Sequence, residues 1–185
     1  MKREEKYSKR FLQNEIRQIL GSQRNNEFPE LNLYQKAIIY KYSNDGYETL
    51  NEYLRAVKDK KNTEFGDLLN SALSRLPNYE GLVYRSVNLT KDELVKYSVA
   101  FKLNQPISEN AFVSTSKSRL IASEYGGNTF FRIYSKTGKG IEKIAKFGMF
   151  DPPNEKEVLF KSGRKFKVLE VTQQEIYSLI TMEEI

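Results

Sequence analysis

An α+β domain is what this sequence predicts, with a helical N-terminal layer packed on a C-terminal sheet region. Three observations predict it. Apolar residues recur at helical spacing as far as Leu76, and after Asn78 they give way to short strand-like runs separated by Gly and Pro. No linker, repeat or low-complexity tract divides the 185 residues. That length suits one domain, at roughly 100–200 residues each.

Taken in order, Leu12, Ile16, Ile19 and Leu20 mark a first helix, with Gly21 as its stop. Residues 21–29 are polar and breaker-rich, hence a loop. Tyr34, Ile38 and Tyr42 recur every four residues in a second helix over 31–42, and Asn44-Asp45-Gly46 signals a turn after it. Leu50, Tyr53, Leu54 and Val57 form one face of a third helix. Leu68, Leu69, Ala72 and Leu73 belong to a fourth over 65–76, ended by Pro77, which cannot continue it. Residues 82–87 are β-like. Thr90-Lys91-Asp92-Glu93 has the form of a capping box opening one more helix, through Leu94 to Ser98. Strands are expected at 111–114, 129–134, 157–160 and 166–171, with turns at Gly126-Gly127, Gly138, Gly140, Pro152-Pro153 and Gly163.

The absent residue types narrow the chemistry. Without Cys, His or Trp there is no disulfide, thiolate nucleophile, iron–sulfur cluster, thiolate zinc site or imidazole dyad. Carboxylates, arginines, hydroxyls and tyrosines remain. No apolar run is long enough to span a membrane, so no membrane insertion is expected, and the N-terminus lacks the apolar stretch of a secretory signal. Lys and Arg number 30 against 24 Asp and Glu, a net charge of +6.

Four places stand out. Arg85 closes the apolar run Leu82-Val83-Tyr84, and Ser114-Thr115-Ser116 sets three hydroxyls behind Phe112-Val113. Glu155 and Glu157 lie two apart at the start of a strand, where extended backbone points both to one side and Lys156 to the other. Asn51 and Arg55, four apart on a helix, share a face. Singly, each also fits a solvated surface, a strand end or a cap.

In this order they resemble the Arg-Ser-Glu family of mono-ADP-ribosyltransferases, the branch unlike diphtheria toxin that includes the clostridial and cholera-toxin-like bacterial toxins. Residues 47–55 look like that family's helix ending in Asn-x-x-x-Arg. Glu157-Val158-Leu159-Phe160, Gly163 and Phe166-Lys167-Val168 look like its final hairpin. The likeness runs from about residue 31 to 172, so residues 1–30 are read as an N-terminal helix and loop and 31–185 as the catalytic core of a single domain.

The resemblance implies the ADP-ribosyltransferase fold: the helical layer on two roughly perpendicular, mainly antiparallel sheets. It implies NAD as substrate, no metal, and transfer of ADP-ribose to a protein side chain, most readily arginine. Glu157 is the carboxylate that stabilises the oxocarbenium-like ribose, and Ser114 fixes its rotamer. Arg85 holds the phosphate region of NAD, with Asn51 and Arg55 reaching the cofactor from the helices. Thr115 and Ser116 support the loop. Glu155 in first position goes with arginine as acceptor, because a carboxylate can orient a protonated guanidinium and take its proton. Between Ser116 and the next strand, the offsets depart from the clostridial pattern. Tyr125 is the candidate ring against nicotinamide and Arg119 the candidate phosphate arginine, although Ala122 and Tyr125 equally fit the packing of a short helix. Phe150, in the loop before Glu155, is the candidate for target recognition.

The partners implied are a target protein bearing the acceptor arginine and a delivery or larger toxin partner. The setting implied is synthesis in a bacterial or phage-infected cytoplasm and action in the cytosol of a target cell. Two alternatives stay open. One is an NAD glycohydrolase, with water as acceptor. The other is a nucleic-acid-binding module using Lys161, Arg164, Lys165 and Lys167 with Phe160 and Phe166 interleaved. Against it stand the near balance of acids and bases and an alternation typical of a half-buried strand.

Overall fold

A computed structural model describes residues 1–56 and 61–185. The single helix expected near the N-terminus is two, α1 (Arg3–Phe11) and α2 (Gln13–Leu20), broken at Leu12, whose non-helical backbone turns its side chain into the core. Within the expected loop, Gln23–Asn26 forms a 3₁₀ turn. Asn32 then opens α3 (Leu33–Lys41) with a capping box closed by Gln35.

The turn expected at Asn44-Asp45-Gly46 is instead a π-helical turn over Tyr42–Gly46, which runs directly into α4 (Tyr47–Ala56). The reason is packing: a Cβ at Gly46 would lie 3.0 Å from the Lys41 carbonyl and 3.1 Å from the Phe65 ring. Gly46 permits close approach there, and Lys41 and Asp45 pair along the helix. Val57, expected on the inner face of this helix, lies outside the described residues. Thr63 caps α5 (Glu64–Leu73), and Thr90 and Glu93 form the anticipated capping box of α6 (Lys91–Lys102).

Seven strands follow from residue 79. They are β1 (Tyr79–Val87), β2 (Pro106–Glu109), β3 (Val113–Ser116), β4 (Thr129–Gly140), β5 (Glu157–Phe160), β6 (Arg164–Gln173) and β7 (Ser178–Glu184). Between β3 and β4 lies the short helix α7 (Arg119–Glu124). Strands β1, β4, β7, β6 and β2 form one set of five, antiparallel except for the parallel pair β4–β7. Strands β3 and β5 form a second, antiparallel set, joined to the first through β1 at Tyr84–Ser116 and through the end of β4. The α+β layering is therefore as expected, while β2 and β7 went unread.

Strand β5 is buried along its whole length because both faces are covered. Leu159 packs into a core with Ile19, Ile38, Leu69, Phe112 and Ile144, beneath the helical layer. Val158 and Phe160 pack oppositely, with Val83, Phe131, Ile133, Phe166 and Met182. The first of these cores also contains Leu12, at the junction of α1 and α2, beside Ile19 of α2, so the two N-terminal helices pack against the same core. Arg24 ties them in further. Its buried guanidinium donates to the carbonyls of Ile144 (3.1 Å), Ala145 (3.1 Å) and Lys146 (3.3 Å). This clamps the loop that leads to Glu155.

Candidate active site

A cleft of about 680 Å³ opens between the helical layer and the sheet, within the roughly 300–1,000 Å³ of ordinary ligand clefts. Its floor is the β3–β5 pair. Ser116 lies opposite Glu157 and Ser114 opposite Leu159, so Ser114 and Glu157 are diagonal neighbours on one face. The Ser114 hydroxyl donates to Glu157 Oε1 at 2.5 Å. Thr115 turns the other way and donates to the Val158 carbonyl at 2.6 Å, which locks the two strands together. Arg85 reaches in from β1, its Nη1 donating to the Ser114 carbonyl at 2.7 Å.

Glu155 and Glu157 both line the cleft, but regular extended backbone is not what aligns them. Lys156 sits at φ 51°, left-handed and strained for a lysine. Its amide donates to Asn154 Oδ1 at 2.8 Å and its carbonyl accepts from the Lys117 amide at 3.1 Å. Ser116 Oγ holds the Glu155 carbonyl at 2.7 Å, and the Glu155 amide donates to the Phe147 carbonyl at 3.1 Å. The backbone of the two carboxylates is thus fixed on every side.

Burial pushes the Glu157 carboxyl up to about 7, and the Glu155 carboxylate adds to the rise; the Ser114 hydroxyl and the Arg85 guanidinium act against it. The half-buried Arg85 guanidinium is itself drawn down by partial loss of water. A carboxyl poised near neutrality, held in one rotamer and facing a cleft, can stabilise a positive charge that develops beside it.

The remaining candidates divide. Arg55 lines the cleft and is exposed. Asn51 lines it too, but its amide is occupied inward: Nδ2 donates to the Tyr42 hydroxyl and Oδ1 accepts from the Phe112 amide, both at 3.0 Å. Tyr125 borders the cleft at the end of α7, and its hydroxyl donates to Glu155 Oε1 at 2.5 Å. Arg119 stands apart from the lining; it begins α7, whose Ile121 and Ala122 face the cleft, and its guanidinium lies 6.0 Å from the Phe130 ring. Phe150 is likewise set back, because Arg24 draws it into a stack at 5.9 Å. The aromatic of that loop in the cleft wall is Phe147.

Tyr42, Tyr47, Tyr84 and Phe147 line the cleft without having been singled out in the sequence. Tyr84 carried a signal as the aromatic directly before Arg85, whereas the π turn that lets Tyr42 meet Asn51 has no sequence pattern of its own.

Comparison with known proteins gives the class first. The HopU1 ADP-ribosyltransferase of Pseudomonas syringae pv. tomato DC3000 superposes on 94% of this chain and 87% of its own, with a TM-score of 0.79 at 21% identity. The fold is that of the bacterial ADP-ribosyltransferases. Residues 18–184 match the ADP-ribosyltransferase exoenzyme family, and the chain belongs to it.

Among its relatives is a Mycobacterium avium (strain 104) protein named as a candidate NAD(+)–arginine ADP-ribosyltransferase, Mav, 39% identical over 139 residues. The alignment takes in 74% of this chain and 16% of Mav. Another is a Vibrio splendidus (strain 12B01) protein, Vis, carrying the same candidate name, 27% identical over 80% of this chain and 64% of its own. Vis has also been solved in complex with agmatine; that structure covers 94% of this chain and 86% of its own, with a TM-score of 0.69 at 22% identity. The chain therefore spans less than two thirds of either curated relative.

Proposed function

We propose that this chain is an NAD-dependent mono-ADP-ribosyltransferase that cleaves the nicotinamide–ribose bond and transfers ADP-ribose to arginine of a target protein. The observation that carries the reading is the Ser114–Glu157 hydrogen bond on the cleft floor, with Arg85 bonded to the same strand and Glu155 two residues away. The names of Mav and Vis, and the agmatine bound by Vis, support arginine as acceptor.

In this mechanism nicotinamide leaves with the bonding electron pair, and positive charge builds on the ribose carbon. Ionised Glu157 stabilises it, an effect worth about 3 kcal/mol or more for a preorganised group. A guanidinium nitrogen of the acceptor then forms the new bond to that carbon, and Glu155 takes the proton it sheds. Ser114 keeps Glu157 in one rotamer, Arg85 and Arg55 face the phosphates, and Tyr42 and Asn51 shape the wall between them. Phe147, in the cleft wall, takes over from Phe150 the contact with the target.

The acceptor protein is met at the cleft mouth, and an injected or carried enzyme acting in another cell's cytosol fits the family. No helix among the described residues is long and apolar enough to cross a membrane. Nucleic-acid binding is not favoured. Phe160 and Phe166, the rings that would stack bases, are fully buried and pack edge to face at 5.3 Å.

The test is transfer of labelled ADP-ribose from NAD to proteins of a cell lysate. Labelled bands that disappear with Glu157→Ala and fade with excess agmatine support the reading. NAD cleavage with no labelled protein and no ADP-ribosyl-agmatine would replace it with a glycohydrolase.

A further inference from the structure

The Tyr125–Glu155 bond joins residues thirty apart in sequence, and the geometry points to Tyr125 as the positioning residue of the acceptor carboxylate. We propose that its phenol holds Oε1 of Glu155, leaving Oε2 turned toward the guanidinium of the incoming acceptor. This rests on the transferase reading above, and it assigns Tyr125 a role through its hydroxyl rather than as a ring stacked on nicotinamide.

Three observations carry it. First, Glu155 is fixed only as far as its backbone by Ser116 and Phe147, whereas its side chain has Tyr125 as its one hydrogen-bond partner and no ion pair among the described residues. Without the phenol, the carboxylate is free to rotate about its side-chain torsions, and fixing them is an entropic cost the acceptor would bear. Second, Tyr125 stands on a rigid mount. Gly126 follows at φ 61°, a conformation suited to glycine, and the Gly127 amide donates to Ser86 Oγ at 2.8 Å. Gly127 packs so closely on β1 that a Cβ there would lie 2.3 Å from the Val87 carbonyl oxygen. Third, partial desolvation, then the bond to Glu155, pushes the ionisation of the phenol above the ordinary tyrosine range, which keeps it a donor to the carboxylate.

The arrangement is accessible to an acceptor. Tyr125 is 60% exposed, Tyr47 42% and Phe147 37%, and all three line the cleft with Glu155. A cation approaching this rim meets aromatic faces and a carboxylate already aimed at it. The phosphate-binding groups Arg85 and Arg55 lie elsewhere on the cleft wall, on β1 and α4, so the Tyr125 hydroxyl acts on acceptor and not on NAD.

The experiment is steady-state kinetics with NAD and agmatine for the wild type, Tyr125→Phe and Tyr125→Leu, each checked for an unchanged melting transition. Tyr125→Phe keeps the ring and removes the hydroxyl. It is expected to raise the agmatine KM about three- to tenfold, the size of one exposed hydrogen bond, and to raise it more than the NAD KM. Tyr125→Leu is expected to raise it at least as much. An agmatine KM unchanged in Tyr125→Phe overturns the proposal, as does an equal rise in both KM values. So does impairment confined to Tyr125→Leu, since the ring alone would then matter. A wild type that turns over NAD and agmatine while Tyr125→Phe matches it defeats this inference alone. A wild type that consumes no NAD defeats the transferase reading beneath it.

Discussion

Replacing Ser114 with alanine tests how Glu157 is kept ionisable inside the protein. Burial holds this carboxyl up at about 7, and the Ser114 hydroxyl is the strongest influence pulling it back down, ahead of Arg85. A hydrogen bond to a charged group contributes about 1.5–3 kcal/mol, and one pKa unit corresponds to about 1.4 kcal/mol. Loss of the 2.5 Å bond therefore raises the Glu157 pKa by roughly one unit or more. The assay is the pH dependence of kcat/KM for NAD, followed as nicotinamide release, which reports ionisations of the free enzyme. Protonated Glu157 cannot stabilise a positive ribose, so the wild-type rate falls as pH drops through about 7. In Ser114→Ala the same acid limb moves upward by roughly one unit, and part of the lost rate returns at higher pH. An acid limb that stays in place or moves downward would refute the reasoning, whatever happened to the maximal rate.

The same group makes a stability prediction with a definite sign. Its pKa is raised from 4.5 to about 7, so the contribution present below 4.5 is lost as pH rises through 7. At about 1.4 kcal/mol per unit, Glu157→Gln should therefore lose roughly 3 kcal/mol less than wild type between those limits, in denaturant unfolding at the two pH values. Glu155→Gln is expected to cut transfer to agmatine at least about tenfold while nicotinamide release falls far less, as measured by chromatography of both products. Arg24→Ala leaves three carbonyls without their donor and should cost about 2–4 kcal/mol of folding stability, seen as a lowered midpoint in thermal unfolding. With a net charge of +6, added salt should slow transfer to a protein target more than NAD hydrolysis; equal salt dependence would count against electrostatic steering.

The floor of the site was legible in the sequence because it depends on strand periodicity. Ser114 and Glu157 each stand beside an apolar strand of unmistakable pattern, and antiparallel pairing makes them neighbours. Where a residue acts through close approach, the pattern misleads. Gly46 reads as a turn but permits helix packing, and Phe150 reads as an exposed loop aromatic but is drawn under Arg24. Strand β2 has only Ile107 as an apolar signal and begins at a proline, as an edge strand can. Strand β7 is buried at Ile180, Thr181 and Met182 in succession, so it lacks the alternation that marks a half-buried strand. Arg24 was invisible for a different cause. Its acceptors are backbone carbonyls 120 residues and more away, and main-chain partners leave no trace in side-chain identity.

The most direct test of the central claim is chromatographic analysis of the purified chain incubated with NAD and agmatine, beside its Glu157→Ala form. The account predicts nicotinamide and ADP-ribosyl-agmatine from the wild type, and loss of both products in Glu157→Ala at an unchanged melting transition. Undiminished product formation by folded Glu157→Ala, or no nicotinamide release by the folded wild type, would contradict it.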